Sequence, residues 1–200
     1  MKNLGTRDRL FRVILAEICI IIAFFWVTIE WQIPLYLIGC LMLLQAATAS
    51  CSFQTLPGWD RCDIIRRRDK NIKTAFVVAA LLLAAAGSYA SAVMTKNIFL
   101  DDLGKVNESY VLALQSTGQG QKENITMRYG NLESAFAAFQ DKYSKYRPLT
   151  VKFDVNFTAQ MNNISAAISG SKEDILQGNL TAGQKELMKA GPIIEKMQDR

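Results

Sequence analysis

The stretch TAFVVAALLLAAAGSYASAVM, residues 74–94, holds twenty-one residues and no charge. A bilayer core about 30 Å thick is crossed by about 20 helical residues. This run is long enough to cross, and Lys96 closes it on the C-terminal side. Beyond Lys96 the apolar residues become single and spaced, as in a protein surrounded by water. On the N-terminal side lie two further apolar runs, VILAEICIIIAFFWVTI at 13–29 and IPLYLIGCLMLLQAATAS at 33–50. The boundary near 94–96 is therefore read as a change of solvent. These runs predict an all-α chain with a transmembrane domain over 1–95 and an extracytoplasmic helical domain over 96–200. The membrane helices are expected at about 13–30, 33–50 and 74–95. A connection at 51–73 separates the second from the third.

Composition agrees with this division. Half of the 200 residues are hydrophobic, and the net charge is +5. The basic residues sit where they set orientation, because Lys and Arg near helix ends stay on the cytoplasmic side. Lys2, Arg7, Arg9 and Arg12 precede the first run. Residues 30–32, the first hairpin, carry no Lys or Arg, whereas the second connection carries Arg61, Arg66, Arg67, Arg68, Lys70 and Lys73. The expected topology has the N-terminus and the loop 51–73 in the cytoplasm and the C-terminal domain outside. Arg66, Arg67 and Arg68 are expected to touch anionic lipid head groups rather than nucleic acid. Glu17 is the only charge inside the runs and is expected to snorkel or to pair with Arg9 or Arg12.

In the third run Ala80, Ala84, Ser88 and Ala92 recur every four residues, with Gly87 and Ser91 beside them. Small residues in this pattern let helix backbones approach closely. Two readings stand: packing against the first two helices of the same chain, or a surface for a second subunit.

The chain opens as N-x-G-x-x-D-R-x-x-R, with Asn3, Gly5, Asp8, Arg9 and Arg12. After the second run comes CSFQTLPGWDRC, from Cys51 through Gly58 to Cys62. Both pieces resemble the YgaP-type transmembrane domain family, small bacterial inner-membrane helix pairs sometimes fused to a rhodanese domain. In that family a C-P-L-Y-x-x-x-G-x-x-x-C stretch follows the second helix. Here the two cysteines and the glycine keep their offsets, but Ser52 replaces the proline. The resemblance covers about residues 1–65 and implies a bacterial inner membrane. No rhodanese domain follows, so sulfur transfer is not implied.

Cys19 and Cys40 fall within apolar runs and read as packing. Cys51 and Cys62 face the reducing cytoplasm in this topology, which disfavours a structural disulfide. Arg61 and Arg66 nearby would lower their thiol pKa and make them candidate redox thiols. Two cysteines alone are a weak metal signal. The chain has no histidine. That removes a Ser-His-Asp triad, histidine-ligated haem and the usual zinc sites. No catalytic residue, cofactor or metal is expected, and the chain is read as non-enzymatic.

In the external domain Ile125, Tyr129, Leu132, Phe136, Phe139, Tyr143 and Tyr146 form an apolar heptad seam. Pro148 ends that helix. Tyr129, Tyr143 and Tyr146 are expected at its edge with their hydroxyls in water. Leu103, Val106, Tyr110 and Leu114 suggest an earlier helix continuing from the third membrane helix. Residues 149–158 fit either a strand or a helix, and an extended lead-in followed by a helix over about 155–169 is favoured. A last helix is expected from about Lys172, with Leu176, Leu180, Gly183, Leu187 and Ala190 as its seam. Ser171 and Asp174 offer a capping box, and Gly191-Pro192 a kink. The simplest architecture for these helices is an antiparallel four-helix bundle. Five N-x-S/T sequons lie here, at Asn107, Asn124, Asn156, Asn163 and Asn179. They become acceptors only where a glycosylating system reaches them.

The reading that emerges is an accessory or structural subunit of a larger membrane complex. Its partners would be the lipid bilayer and other membrane subunits or a second copy. An extracytoplasmic ligand sensor and thiol handling at Cys51 and Cys62 are the alternatives.

Overall fold

The computed structural model describes residues 6–48, 70–119 and 122–199. The residues described form helices only: α1 (Thr6–Phe25), α2 (Ile29–Thr48), α3 (Lys70–Gln119), α4 (Lys122–Lys145), α5 (Leu149–Lys152), α6 (Phe157–Gln177), α7 (Leu180–Leu187) and α8 (Gly191–Gln198). A 3-10 turn, Met188–Ala190, joins the last two. The chain divides into two compact units, Met1–Val93 and Met94–Arg200.

In the first unit α1 and α2 form an antiparallel hairpin. Arg9 Nε donates to the Ala46 carbonyl at 2.6 Å, and Arg12 donates to the Gln45 side chain. Gly39 lets the pair close up: a Cβ there would stand 3.2 Å from Ile20 Cγ1 and 3.4 Å from the Ala16 carbonyl. The chain reverses at residues 26–28. There the Thr28 carbonyl accepts from Trp31 N at 3.0 Å and Gln32 N at 3.2 Å, so α2 begins at Ile29. Three separate membrane helices were expected, and this reversal corrects that count. Residues 26–29 leave the first run for the turn and α2. What remains, α1, is twenty residues long and carries Arg7, Asp8, Arg9, Arg12 and Glu17. Among the described residues, only α2 and the apolar part of α3 have the length and composition to cross a membrane.

The surface of this unit is apolar on nearly every side. Ile33, Leu37, Leu41 and Leu44 of α2 and Val77, Val78, Leu81 and Leu82 of α3 are all exposed. A helix apolar all round is suited to lipid, not to water.

The second unit has one core. It is built from Phe99, Leu103, Val106, Tyr110 and Ala113 of α3 and Ile125, Tyr129, Leu132, Phe136, Phe139 and Tyr143 of α4. From α6 come Phe157, Met161, Ile164, Ala167, Ile168 and Ile175, and from the C-terminal segments Leu187, Ala190, Ile194 and Met197. The α3 set recurs at spacings of four and three, which keeps a single helix face turned inward. As anticipated, α3 runs without interruption through the end of the apolar stretch.

Several boundaries differ from expectation. Residues 149–158 contain neither a strand nor a long extended segment: α5 is a single turn, and α6 starts at Phe157. α6 continues to Gln177, well past 169, because Gly178 rather than Gly170 ends it. Gly178 adopts φ 87°, the left-handed geometry that suits glycine. Its N–H and that of Asn179 reach back to the Ile175 and Asp174 carbonyls at 3.2 and 2.8 Å. Ser171 is therefore inside a helix and buried, with its hydroxyl donating to the Ile168 carbonyl at 2.8 Å, and it caps nothing. The last helix begins at Leu180, and Leu176 is exposed while Ile175 takes the core position. Pro192 stands at the start of α8, after the 3-10 turn, where its missing N–H costs nothing.

Candidate functional site

The third helix was singled out for its small residues, and within the first unit two of them meet the first segment, Gly87 against Ile21 and Ser91 against Trp26. Ala80 and Ser91 are buried, and Ala84, Gly87, Ser88 and Ala92 are half-buried. A Cβ on Gly87 would stand 3.0 Å from Ile21 Cδ1. One turn later Trp26 Nε1 donates to Ser91 Oγ at 3.1 Å. Absence of bulk at Gly87 and a hydroxyl at Ser91 are what let α1 approach. These two contacts lie within the chain and concern Gly87 and Ser91 alone. The outward side of α3 carries its own small residues, Ala79, Ala86 and Ala90, all exposed.

Glu17 does not make the pair expected of it. Arg9 and Arg12 are turned to α2, Arg12 also meets Asp8 at 3.3 Å, and Glu17 Oε2 is buried with no hydrogen-bond partner. Cys19 is half-buried and Cys40 exposed on an apolar surface, both as free thiols. The candidate redox thiols Cys51 and Cys62 and the candidate lipid contacts Arg66, Arg67 and Arg68 lie outside the described residues. Among the described residues no three His, Cys, Asp or Glu side chains come together as metal ligands.

In the second unit the polar chemistry gathers around Asp102. Its Oδ2 accepts from Lys142 Nζ at 2.6 Å and from the Tyr143 hydroxyl at 2.9 Å, while Oδ1 takes Lys105 at 3.3 Å. Tyr143 is 1% exposed, so its hydroxyl is not in water as its place on the seam suggested. Burial, and then the Asp102 carboxylate it donates to, hold that hydroxyl's pKa far above the ordinary tyrosine range. Tyr129 is also buried, and its hydroxyl donates to the Ile168 carbonyl. Burial raises its pKa, with the Glu133 charge adding to the effect. Tyr146, half-buried, is raised by burial although its hydroxyl bonds Thr95. Sequence reasoning missed Asp102. The signal was there: it precedes seam residue Leu103 and so sits at the edge of the buried α3 face.

The five sequon asparagines fall on the surface, Asn124, Asn156, Asn163 and Asn179 exposed and Asn107 half-exposed. Lys172 bridges α6 to Glu133 of α4 at 2.7 Å, an exposed ion pair of minor energetic weight.

With this geometry in place, comparison adds one match. Residues 1–64 match the model of a family described as the transmembrane domain of inner membrane protein YgaP-like proteins. The match ends before α3 and the second unit. No curated protein and no solved structure matches the chain.

Proposed function

Taking residues 1–64 as similar to an inner-membrane transmembrane domain, we propose that this chain is a non-catalytic subunit of a larger membrane complex. α2 and the apolar part of α3 cross the bilayer, and α1 lies along α2 as the other arm of the hairpin. At about 1.5 Å per residue, the twenty residues of α2 span about 30 Å, the thickness of the hydrocarbon core. The observation that carries the topology is the direction of packing. Arg9 meets Ala46 at the open end of the hairpin, from which the basic segment 51–73 departs. Trp26, at the turn, meets Ser91 near the end of the apolar run of α3. The end of the hairpin that carries Arg9 and Arg12 is the cytoplasmic one on this reading, and Met94 leaves on the other side.

The second unit is then an extracytoplasmic four-helix bundle of α3, α4, α6 and the α7–α8 segment, serving as an assembly surface. The exposed alanines 79, 86 and 90 offer a neighbouring helix a close approach. Gentle detergent extraction from native membranes, followed by native mass determination, tests the reading. A stoichiometric assembly with other membrane proteins is expected. Recovery of only a monomer or a dimer of this chain would overturn it. The same mass registers any sugar on the five sequons.

A further inference from the structure

The connection between α4 and α6 carries the two most exposed large apolar side chains of the second unit, Val155 at 89% and Phe153 at 74%. Leu149 is exposed beside them. Their neighbours fix the end of the unit at which they stand. Phe157, which starts α6, has its ring 6.2 Å from that of Phe99, and Tyr143 at the end of α4 has its ring 5.0 Å from the same Phe99. Tyr146 bonds Thr95. Thr95 and Phe99 follow Met94, where the apolar run of α3 stops. Five helical residues rise about 7.5 Å. The headgroup layer of one leaflet is about 5–8 Å deep, the difference between the core and the whole bilayer. With residues 74–94 read as spanning the bilayer, both ends of the connection thus meet the first turns of α3 beyond the span, within headgroup reach.

Its charges suit that position. Arg147 and Lys152 lie in it and Asp154 is its one acid, while Lys145 beside it pairs with Asp141 at 2.6 Å. Arg147 lies over the Phe157 ring at 5.5 Å and bonds Thr158 Oγ1 at 2.8 Å, which ties the connection to α6. Apolar tips flanked by cations are the composition of segments that lie in a membrane interface.

We propose that residues 149–155 dock on the lipid surface of the membrane that α3 crosses, with Phe153 and Val155 in the interface and Lys152 and Arg147 toward lipid phosphates. The inference rests on the reading that residues 74–94 span the bilayer. It extends that reading by fixing the second unit to the membrane at a second point.

The test uses the full chain with Cys19, Cys40, Cys51 and Cys62 replaced by Ser, in phosphatidylethanolamine–phosphatidylglycerol vesicles. Single variants F153C, V155C and Q177C carry a polarity-sensitive fluorophore, Gln177 being exposed at the opposite end of α6. Lipids brominated near the headgroup are expected to quench the first two several-fold more than the third. Equal quenching at all three sites overturns the proposal. Blocking F153C from one side with an impermeant maleimide reads the leaflet separately, so an error in topology is told apart from an absence of docking. Should the cysteine-free chain fail to insert, trypsin cleavage after Lys152 in the native-cysteine chain decides instead. Vesicles are expected to protect this bond in the wild type and not in the F153D/V155D variant, and equal cleavage of the two overturns the proposal.

Discussion

Tyr143 joins the apolar core to the polar rim of the second unit: its ring packs edge-on against Phe99 and its hydroxyl reaches Asp102. Removing the acceptor is worse than weakening it. In Asp102→Asn a side-chain oxygen still faces Tyr143, whereas Asp102→Ala leaves a buried hydroxyl unpaired. Hydrogen bonds to charged groups are worth about 1.5–3 kcal/mol. We expect D102A to lose stability of that order and D102N to lose less, measured by thermal or denaturant unfolding. Equal losses would mean that the Lys142 ion pair, not the tyrosine, is what Asp102 supports. The tyrosines also set the alkaline limit. Tyr129, Tyr143 and Tyr146 are all raised above their ordinary 10.0 in the folded unit. The folded state then holds these protons more tightly than the unfolded one. Their contribution is complete below pH 10 and is lost as pH rises beyond it. Tyrosinate absorbance should therefore rise together with loss of helix. Titration of all these tyrosines near 10 with the helix intact would contradict their burial.

At the scale of elements, the junction of α6 and α7 depends on two glycines for different reasons. Gly178 supplies a positive φ, and Ala there should cost about 1 kcal/mol. Gly183 supplies room, since a Cβ would stand 2.6 Å from Ile175 Cγ1 and 3.3 Å from the Ile175 backbone nitrogen. Gly183→Ala is expected to cost roughly 1–3 kcal/mol through overpacking, and Gly183→Val more. A Val variant as stable as the wild type would show that α7 does not lie this close to α6. The seam of α4 was legible from the sequence because a heptad of apolar residues has one way to be buried. The end of α6 was not: Gly170 and Gly178 look alike as letters, and only the second is placed where the chain must reverse to bring Gly183 onto Ile175. The first membrane run was overextended for a related reason, because apolar composition does not mark a turn at residues 26–28.

On the scale of the whole molecule, the second unit has a core of its own drawn from α3, α4, α6, α7 and α8. We expect a fragment spanning Met94–Arg200 to be helical and to unfold in one cooperative transition by circular dichroism. A fragment with little helix would show that this core needs the membrane unit.

The sequence alone determined where the long apolar runs lie, and among the described residues α2 and the apolar part of α3 have the length and composition to cross a membrane. The free energy of moving an apolar run between water and lipid accumulates along the run and needs no knowledge of its neighbours. It likewise determined the helical class and the inward face of α4. Tertiary structure alone decided that Gly87 stands against Ile21 and Ser91 against Trp26, that Tyr129 and Tyr143 are buried with their hydroxyls satisfied, and that Phe153 and Val155 are left exposed. Each of these depends on what another part of the chain brings to within a few ångströms, and residue spacing along one helix carries no record of that.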